Sequence, residues 1–330
     1  MRMNNNSKSR SSTAGVMAAS IETAAGAKVE KEEEKEEVLC SIPPQEHFLS
    51  TPPHGDATAV HIYNITAPET VVMLHGCGGY KQDWQTGKIS PRLATRYRVV
   101  MFDWYGHGDS ADLPGDEYTT QVYLQQLEAV LQEYCNPNQV PTFHLYAFSM
   151  GNYLALHYVR LHPQRVGRLV LHSPWNAEMA AFGPAPIMKF VMELPAIGLR
   201  AVDLLRRAMF AHVHSAIIFK SIMTRLGQGT AAWDGLLRDV AATLQNQQQD
   251  QLPQARQAVG PEKILILYGQ AEKPFGRVAL NIYRKLQTAT AVPIYMYSQP
   301  HASHMTWYEQ ANEPTGAWWR DHIFEFLTTA

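Results

Sequence analysis

The 330-residue sequence contains no apolar run long enough to cross a membrane, and its first residues lack the continuous apolar segment of a secretory signal. No transmembrane segment is expected. It also lacks an excess of either charge: 28 Lys and Arg stand against 30 Asp and Glu, interspersed, for a net charge of -2. A chain so balanced offers no electrostatic footprint for a nucleic acid or a membrane surface, so neither is expected as a partner. Cysteine is scarce as well. The three present, Cys40, Cys77 and Cys135, have no metal-ligand spacing and do not make an even set, which argues against a metal site and for a reducing compartment, the cytoplasm. Large apolar residues are rare over residues 1–45, so that stretch is expected to be a disordered tail ending in a mainly acidic linker at 30–37. Its Arg2, Lys8 and Arg10 among serines, with no acid before Glu22, leave open a weak transit peptide for a mitochondrion or another organelle.

What is present is a chain 45% hydrophobic, enough for one large core or for a core with an inserted subdomain. The stretch that organises it is residues 143–153, where an apolar strand-like run climbs to Ser149 and an apolar helix-like run begins at once. Ala147 and Gly151, two residues either side, are small. This is the pattern of a nucleophile elbow, a turn so sharp that strand and helix pass closely and the serine is strained. Alanine in the first small position, where glycine is commoner, adds a methyl group where space is short. The plain alternative is a serine capping a buried helix.

Two more apolar runs end in polar, glycine-rich loops. Residues 70–74 lead into His75-Gly76-Cys77-Gly78-Gly79, whose backbone N–H groups stand free of side chains and can receive a developing oxyanion. Residues 99–102 lead into the loop from Asp103 to Ser110. An amphipathic helix follows, stepping through Tyr123, Leu127, Val130, Leu131 and Tyr134, and further strands are expected at 59–65, 168–171, 264–268 and 292–297. Strands alternating with helices imply an α/β protein with a mostly parallel sheet, whose reactive groups gather at the carboxyl ends of the strands.

Taken in order and spacing, His75-Gly76-Cys77-Gly78-Gly79, Asp103-x-x-Gly106-x-Gly108-x-Ser110 and Ala147-x-Ser149-x-Gly151 resemble the α/β-hydrolase superfamily, over about 48–174 and 262–328. The resemblance implies a mostly parallel sheet flanked by helices, with Ser149 as nucleophile and the amides of Cys77 and Met150 as the oxyanion hole. It places the triad acid after a late strand, where Glu272 stands in the usual aspartate's position, with Glu178 as a lesser substitute. It places the histidine last, in the segment Ser303 to Gln310, which selects His304 and keeps His301 in reserve. His107 and Asp112 match a His-x4-Asp spacing that we take as coincidence. No metal or organic cofactor is implied.

The same resemblance divides the chain into a tail at 1–45, a hydrolase core at 46–174 and 262–330, and a helical cap at 175–261. That insertion carries Ile187, Phe190, Val191, Leu194, Ile197, Val202, Ile217, Ile218 and Met223, a composition suited to an apolar substrate wall. The function expected is a serine esterase or lipase-like hydrolase, acting on a small apolar ester through an acyl-serine intermediate. A thioester or carbon–carbon bond hydrolase and a non-catalytic binding or scaffold member of the fold are the alternatives. A serine in the nucleophile position disfavours relatives that use aspartate there.

Overall fold

A computed structural model describes residues 39–114, 117–174, 200, 202–204, 206–207, 211–226, 230–249 and 260–329. Eight strands form one sheet: β1 (Gln45–Thr51), β2 (Asp56–Tyr63), β3 (Thr70–Leu74), β4 (Arg98–Phe102), β5 (Phe143–Phe148), β6 (Val166–His172), β7 (Lys263–Gly269) and β8 (Ile294–Gln299). Their order is β1-β2-β4-β3-β5-β6-β7-β8. Only β2 runs against its neighbours; β4, β3, β5, β6, β7 and β8 pair in parallel.

The helices among the described residues include α1 (Asp83–Thr86), α2 (Ile89–Leu93), α3 (Thr120–Tyr134), α4 (Met150–Leu161), α5 (Ala216–Arg225), α6 (Thr230–Gln249), α7 (Lys273–Ala289), α8 (Thr306–Glu309) and α9 (Pro314–Thr328). They cover both faces of the sheet, which is why its central strands can be apolar throughout. All five residues of β3 are buried. Successive residues of one strand then serve two different cores. Val72 and Leu74 join Leu127 of α3, Leu154 of α4, Leu237 of α6 and Ile282 of α7. Val71 and Met73 join Trp84, Leu93, Trp307 and Trp319 on the other face.

Within the span 175–261, α6 packs against α4 and α7, and its Trp233, Leu237, Val240 and Leu244 join the core cluster that includes the sheet. The apolar stripe of α6 is what this packing buries. β1 was not anticipated as a full strand, because its pairing with β2 leaves most of it partly exposed, Phe48 at 62%. Residues 187–197, with the apolar positions read as cap there, lie outside the described residues, as do residues 1–38. Among the described residues no helix is long and apolar enough to cross a membrane.

The approach on which the serine turn depends is at Gly151, the second residue of α4. A Cβ there would lie 2.5 Å from the Leu74 carbonyl oxygen and 3.0 Å from that of His75. Both are backbone atoms of the strand end that α4 must pass. Gly151→Ala is therefore expected to destabilise the protein by about 3 kcal/mol, measured by denaturant unfolding, with Ala155→Gly on the same helix as the control for helix propensity.

Candidate active site

Because the central strands are parallel, the residues after β3, β4, β5, β6, β7 and β8 emerge at one edge of the sheet, and the chemistry-bearing side chains lie there. Ser149 occupies the turn between β5 and α4 at φ 51° and ψ -116°, a left-handed conformation that a non-glycine residue adopts only when its surroundings impose it. Here the surroundings are explicit. The Ser149 N–H donates to the His172 carbonyl at 3.0 Å, and Asn152 Nδ2 donates to the carbonyls of both Ser149 and His172 at 2.9 Å. The side chain does not cap α4, which rules out the plain alternative of a capping serine. Ala147 is buried, in register between Leu74 of β3 and Leu171 of β6, so its methyl fits inside the sheet.

Glu272 follows β7 and caps the start of α7 by position. Its longer arm folds back, so that Oε1 accepts hydrogen bonds from the Gly269 N–H and from Ser173 Oγ, the latter at 2.6 Å, while Oε2 faces His304 Nδ1 at 2.7 Å. The glutamate side chain is 3% exposed and the histidine 25%. The ring of His304 stacks on Phe148, the residue before Ser149, with centroids 4.7 Å apart. The structure thus brings Glu272 and His304 together beside the Ser149 turn. His301, the reserve, sits on an exposed turn at φ 60°, with no recorded contact to Glu272. Glu178 lies outside the described residues.

The glycine turn after β3 packs directly against the serine: a Cβ on Gly76 would stand 2.8 Å from the Ser149 Cβ. Among the described residues, neither the Cys77 N–H nor the Met150 N–H donates a hydrogen bond, so both remain available to an incoming oxygen, and Met150 is the first residue of α4, where the helix dipole is positive. Burial pushes the Cys77 thiol up to about 12, which keeps it a neutral thiol. The pairing of His107 with Asp112 does not form. His107 is buried with Nδ1 donating to the Tyr105 carbonyl, and Asp112 instead meets His214 Nδ1 at 2.6 Å.

Some participants had not been foreseen. Ser173, at φ 45° after β6, holds Glu272; the only hint was a small polar residue at the end of the next strand. Asp83 lies beneath the glycine turn, accepting the Tyr80 N–H at 3.1 Å, and no sequence signal marked it. His75 is buried and neutral, pushed down to about 3 by burial. Among the described residues no group of His, Cys, Asp or Glu has the arrangement of a metal site.

The fold and this geometry can be set beside known proteins. A family model described as alpha/beta hydrolase fold matches residues 69–197. The enol-lactonase of Burkholderia xenovorans LB400 superposes with a TM-score of 0.58 at 17% identity, over 86% of this chain and 100% of that one. The chain has the α/β-hydrolase fold. Among the relatives of this chain by sequence is a 2-hydroxy-6-oxononadienedioate/2-hydroxy-6-oxononatrienedioate hydrolase of Paraburkholderia xenovorans (strain LB400), 27% identical over 227 residues, 66% of this chain and 76% of that protein. A protein of the same name from Escherichia coli (strain K12 / DH10B) is 28% identical over 142 residues, 42% of this chain and 48% of that one, so the match spans about half of its length.

One group at the site ties its ionisation to stability. Burial, reinforced by the Asp103 charge, pushes the Asp83 carboxyl up from 3.8 to about 7, against the opposing pull of the Tyr80 N–H. The folded state therefore holds the proton that the unfolded chain releases near 3.8. The contribution of Asp83 to stability is complete below that pH and is lost as pH rises through about 7. Asp83→Asn removes the dependence, so its stability relative to wild type should rise by roughly 2–4 kcal/mol between pH 4 and pH 8 in urea unfolding; parallel curves for the two proteins would refute this.

Proposed function

We propose that this α/β hydrolase is a serine hydrolase that cleaves a carboxylic ester of a small apolar, lipid-like molecule through an acyl-serine intermediate. The observation that carries the reading is the Glu272–His304 hydrogen bond beside a strained, non-capping Ser149. Ser149 Oγ attacks the carbonyl carbon while His304 takes its proton. Glu272 fixes the tautomer with Nδ1–H toward its own oxygen and stabilises the imidazolium that forms. The amides of Cys77 and Met150 receive the oxyanion, His304 returns the proton to the leaving alcohol, and water then cleaves the acyl-serine with the same base. No step calls for a metal or an organic cofactor.

The likeness to an enol-lactonase supports an ester as the bond cleaved, since a lactone is a cyclic ester. A second reading has its own support: the sequence relatives are carbon–carbon bond hydrolases. Both readings use the same serine and histidine, and they differ in what the second half of the pocket must accept, an alkoxide or a carbanion. The location we propose is the cytoplasm, from the three unpaired cysteines, with an organelle as the alternative.

The test is labelling by a fluorescent fluorophosphonate, followed by p-nitrophenyl esters of two to twelve carbons and a 2-hydroxy-6-oxo-dienoate. Wild type should label and turn over the esters; Ser149→Ala and His304→Ala should do neither. Glu272→Gln should keep the fold and lose about 10³–10⁴-fold in kcat, because an amide can turn its NH2 toward the ring and select the wrong tautomer. A folded wild type that never labels would end the catalytic reading in favour of a binding role, and turnover confined to the dienoate would transfer it to carbon–carbon cleavage.

A further inference from the structure

The turn at 76–79 carries one side chain, that of Cys77, and one internal hydrogen bond, from the Gly79 N–H to the Gly76 carbonyl at 3.1 Å, so much of its restraint has to come from its ends. Both ends are fastened to one dipeptide, Asp103-Trp104, at the end of β4. On the upstream side, the Trp104 N–H donates to His75 Nε2 at 3.0 Å and Trp104 Nε1 donates to the His75 carbonyl at 3.1 Å, while His75 Nδ1–H donates to the Gly76 carbonyl at 2.8 Å. On the downstream side, the Lys81 N–H donates to Asp103 Oδ1 at 2.6 Å and Lys81 Nζ donates to Asp103 Oδ2 at 2.9 Å.

The dipeptide is itself immobilised. The Asp103 N–H donates to the Ala59 carbonyl at 3.0 Å, and its carbonyl accepts Ser110 Oγ at 2.7 Å and Gln126 Nε2 at 3.1 Å. Asp103 Oδ2 also accepts the Asp109 N–H at 2.9 Å, an approach open only because Gly108 has no Cβ, which would fall 2.2 Å from that oxygen. The Lys81 and Asp103 side chains are fully buried, and Lys81 Nζ has a second carboxylate partner in Asp109. A buried ion pair contributes little to net stability, so its presence here calls for another role.

We infer that Lys81, Asp103 and Trp104 are positioning residues that clamp the glycine turn from both ends and so hold the Cys77 amide at the oxyanion. They touch neither substrate nor reacting atoms; they act through the backbone between them. The inference rests on the oxyanion role given to Cys77 above. An oxyanion donor contributes only where the transition-state oxygen stands, so loosening the clamp lowers kcat and leaves ground-state binding in place.

The test compares wild type with Trp104→Phe, which keeps the buried ring and deletes one donor, and with Lys81→Met, which removes the ion pair and keeps the backbone donor. Each is assayed with p-nitrophenyl butyrate and with an aryl trifluoromethyl ketone, which forms a tetrahedral adduct with the serine. The expected result is a kcat about 10-fold lower for Trp104→Phe and 10- to 100-fold lower for Lys81→Met, KM within about twofold, and ketone affinity falling in step with kcat/KM. Thermal melts establish that the variants are folded, and Trp104→Phe carries the test if Lys81→Met does not fold. An active wild type whose folded variants keep kcat and ketone affinity overturns the clamp alone, as does a rise in KM without a change in kcat. A wild type that neither turns over nor labels removes the catalytic reading and the inference with it.

Discussion

The structure depends on how closely α4 passes the end of β3. Gly151 leaves no room for a Cβ against the Leu74 carbonyl, and Gly76 leaves none against Ser149 itself. This crossing forces Ser149 into its left-handed conformation, and that conformation lifts Oγ out of the capping geometry a serine before a helix would otherwise adopt. The strain is borne by hydrogen bonds on the backbone around it, from Ser149 and Asn152 to the end of β6. Packing between three strand ends therefore decides the availability of one hydroxyl.

The electrostatics of the edge follow from burial. His75 is pushed down to about 3, His172 well below its ordinary range, and Cys77 up to about 12, all by loss of water. Each is uncharged near neutrality. His172 shows how completely: its Nδ1 meets the Tyr146 hydroxyl at 2.8 Å and its ring stacks on Trp319 at 4.6 Å. With those groups neutral, the local field at Ser149 comes from the Glu272–His304 pair and from the N-terminus of α4. The charged Lys81–Asp103–Asp109 cluster lies on the far side of the glycine turn, and Lys81 balances one of its two carboxylates.

Much of this was legible in the sequence because it depends on local patterns. Apolar runs ending in small residues located β3, β5 and β7, and the small residues around Ser149 located the turn. Glu272 and His304 were legible only by their order along the chain, because the two, 32 positions apart, meet through β7 and β8 pairing in parallel. Ser173, Lys81 and Asp83 were not legible. Their roles depend on register across strands, and a serine, a lysine or an aspartate in a loop carries no periodic signal of its own. What an apolar helix packs against is not legible for a related reason: the stripe is the same whether it faces a neighbouring helix, as in α6, or a substrate.

Glutamate in place of aspartate does not weaken the site's geometry. An aspartate after β7 would reach the histidine by a shorter path and leave its inner oxygen near the strand end. The additional methylene of Glu272 lets the carboxylate turn back over its own loop, so that Oε1 takes the Gly269 N–H and the Ser173 hydroxyl and Oε2 is left for His304 alone. Two donors on one oxygen fix the orientation of the carboxylate and restrain its rotation, limiting the freedom that the longer side chain would otherwise retain. The substitution and Ser173 thus form a matched pair. Neither residue explains its position alone, and together they supply a buried, oriented charge at the one imidazole nitrogen that needs it.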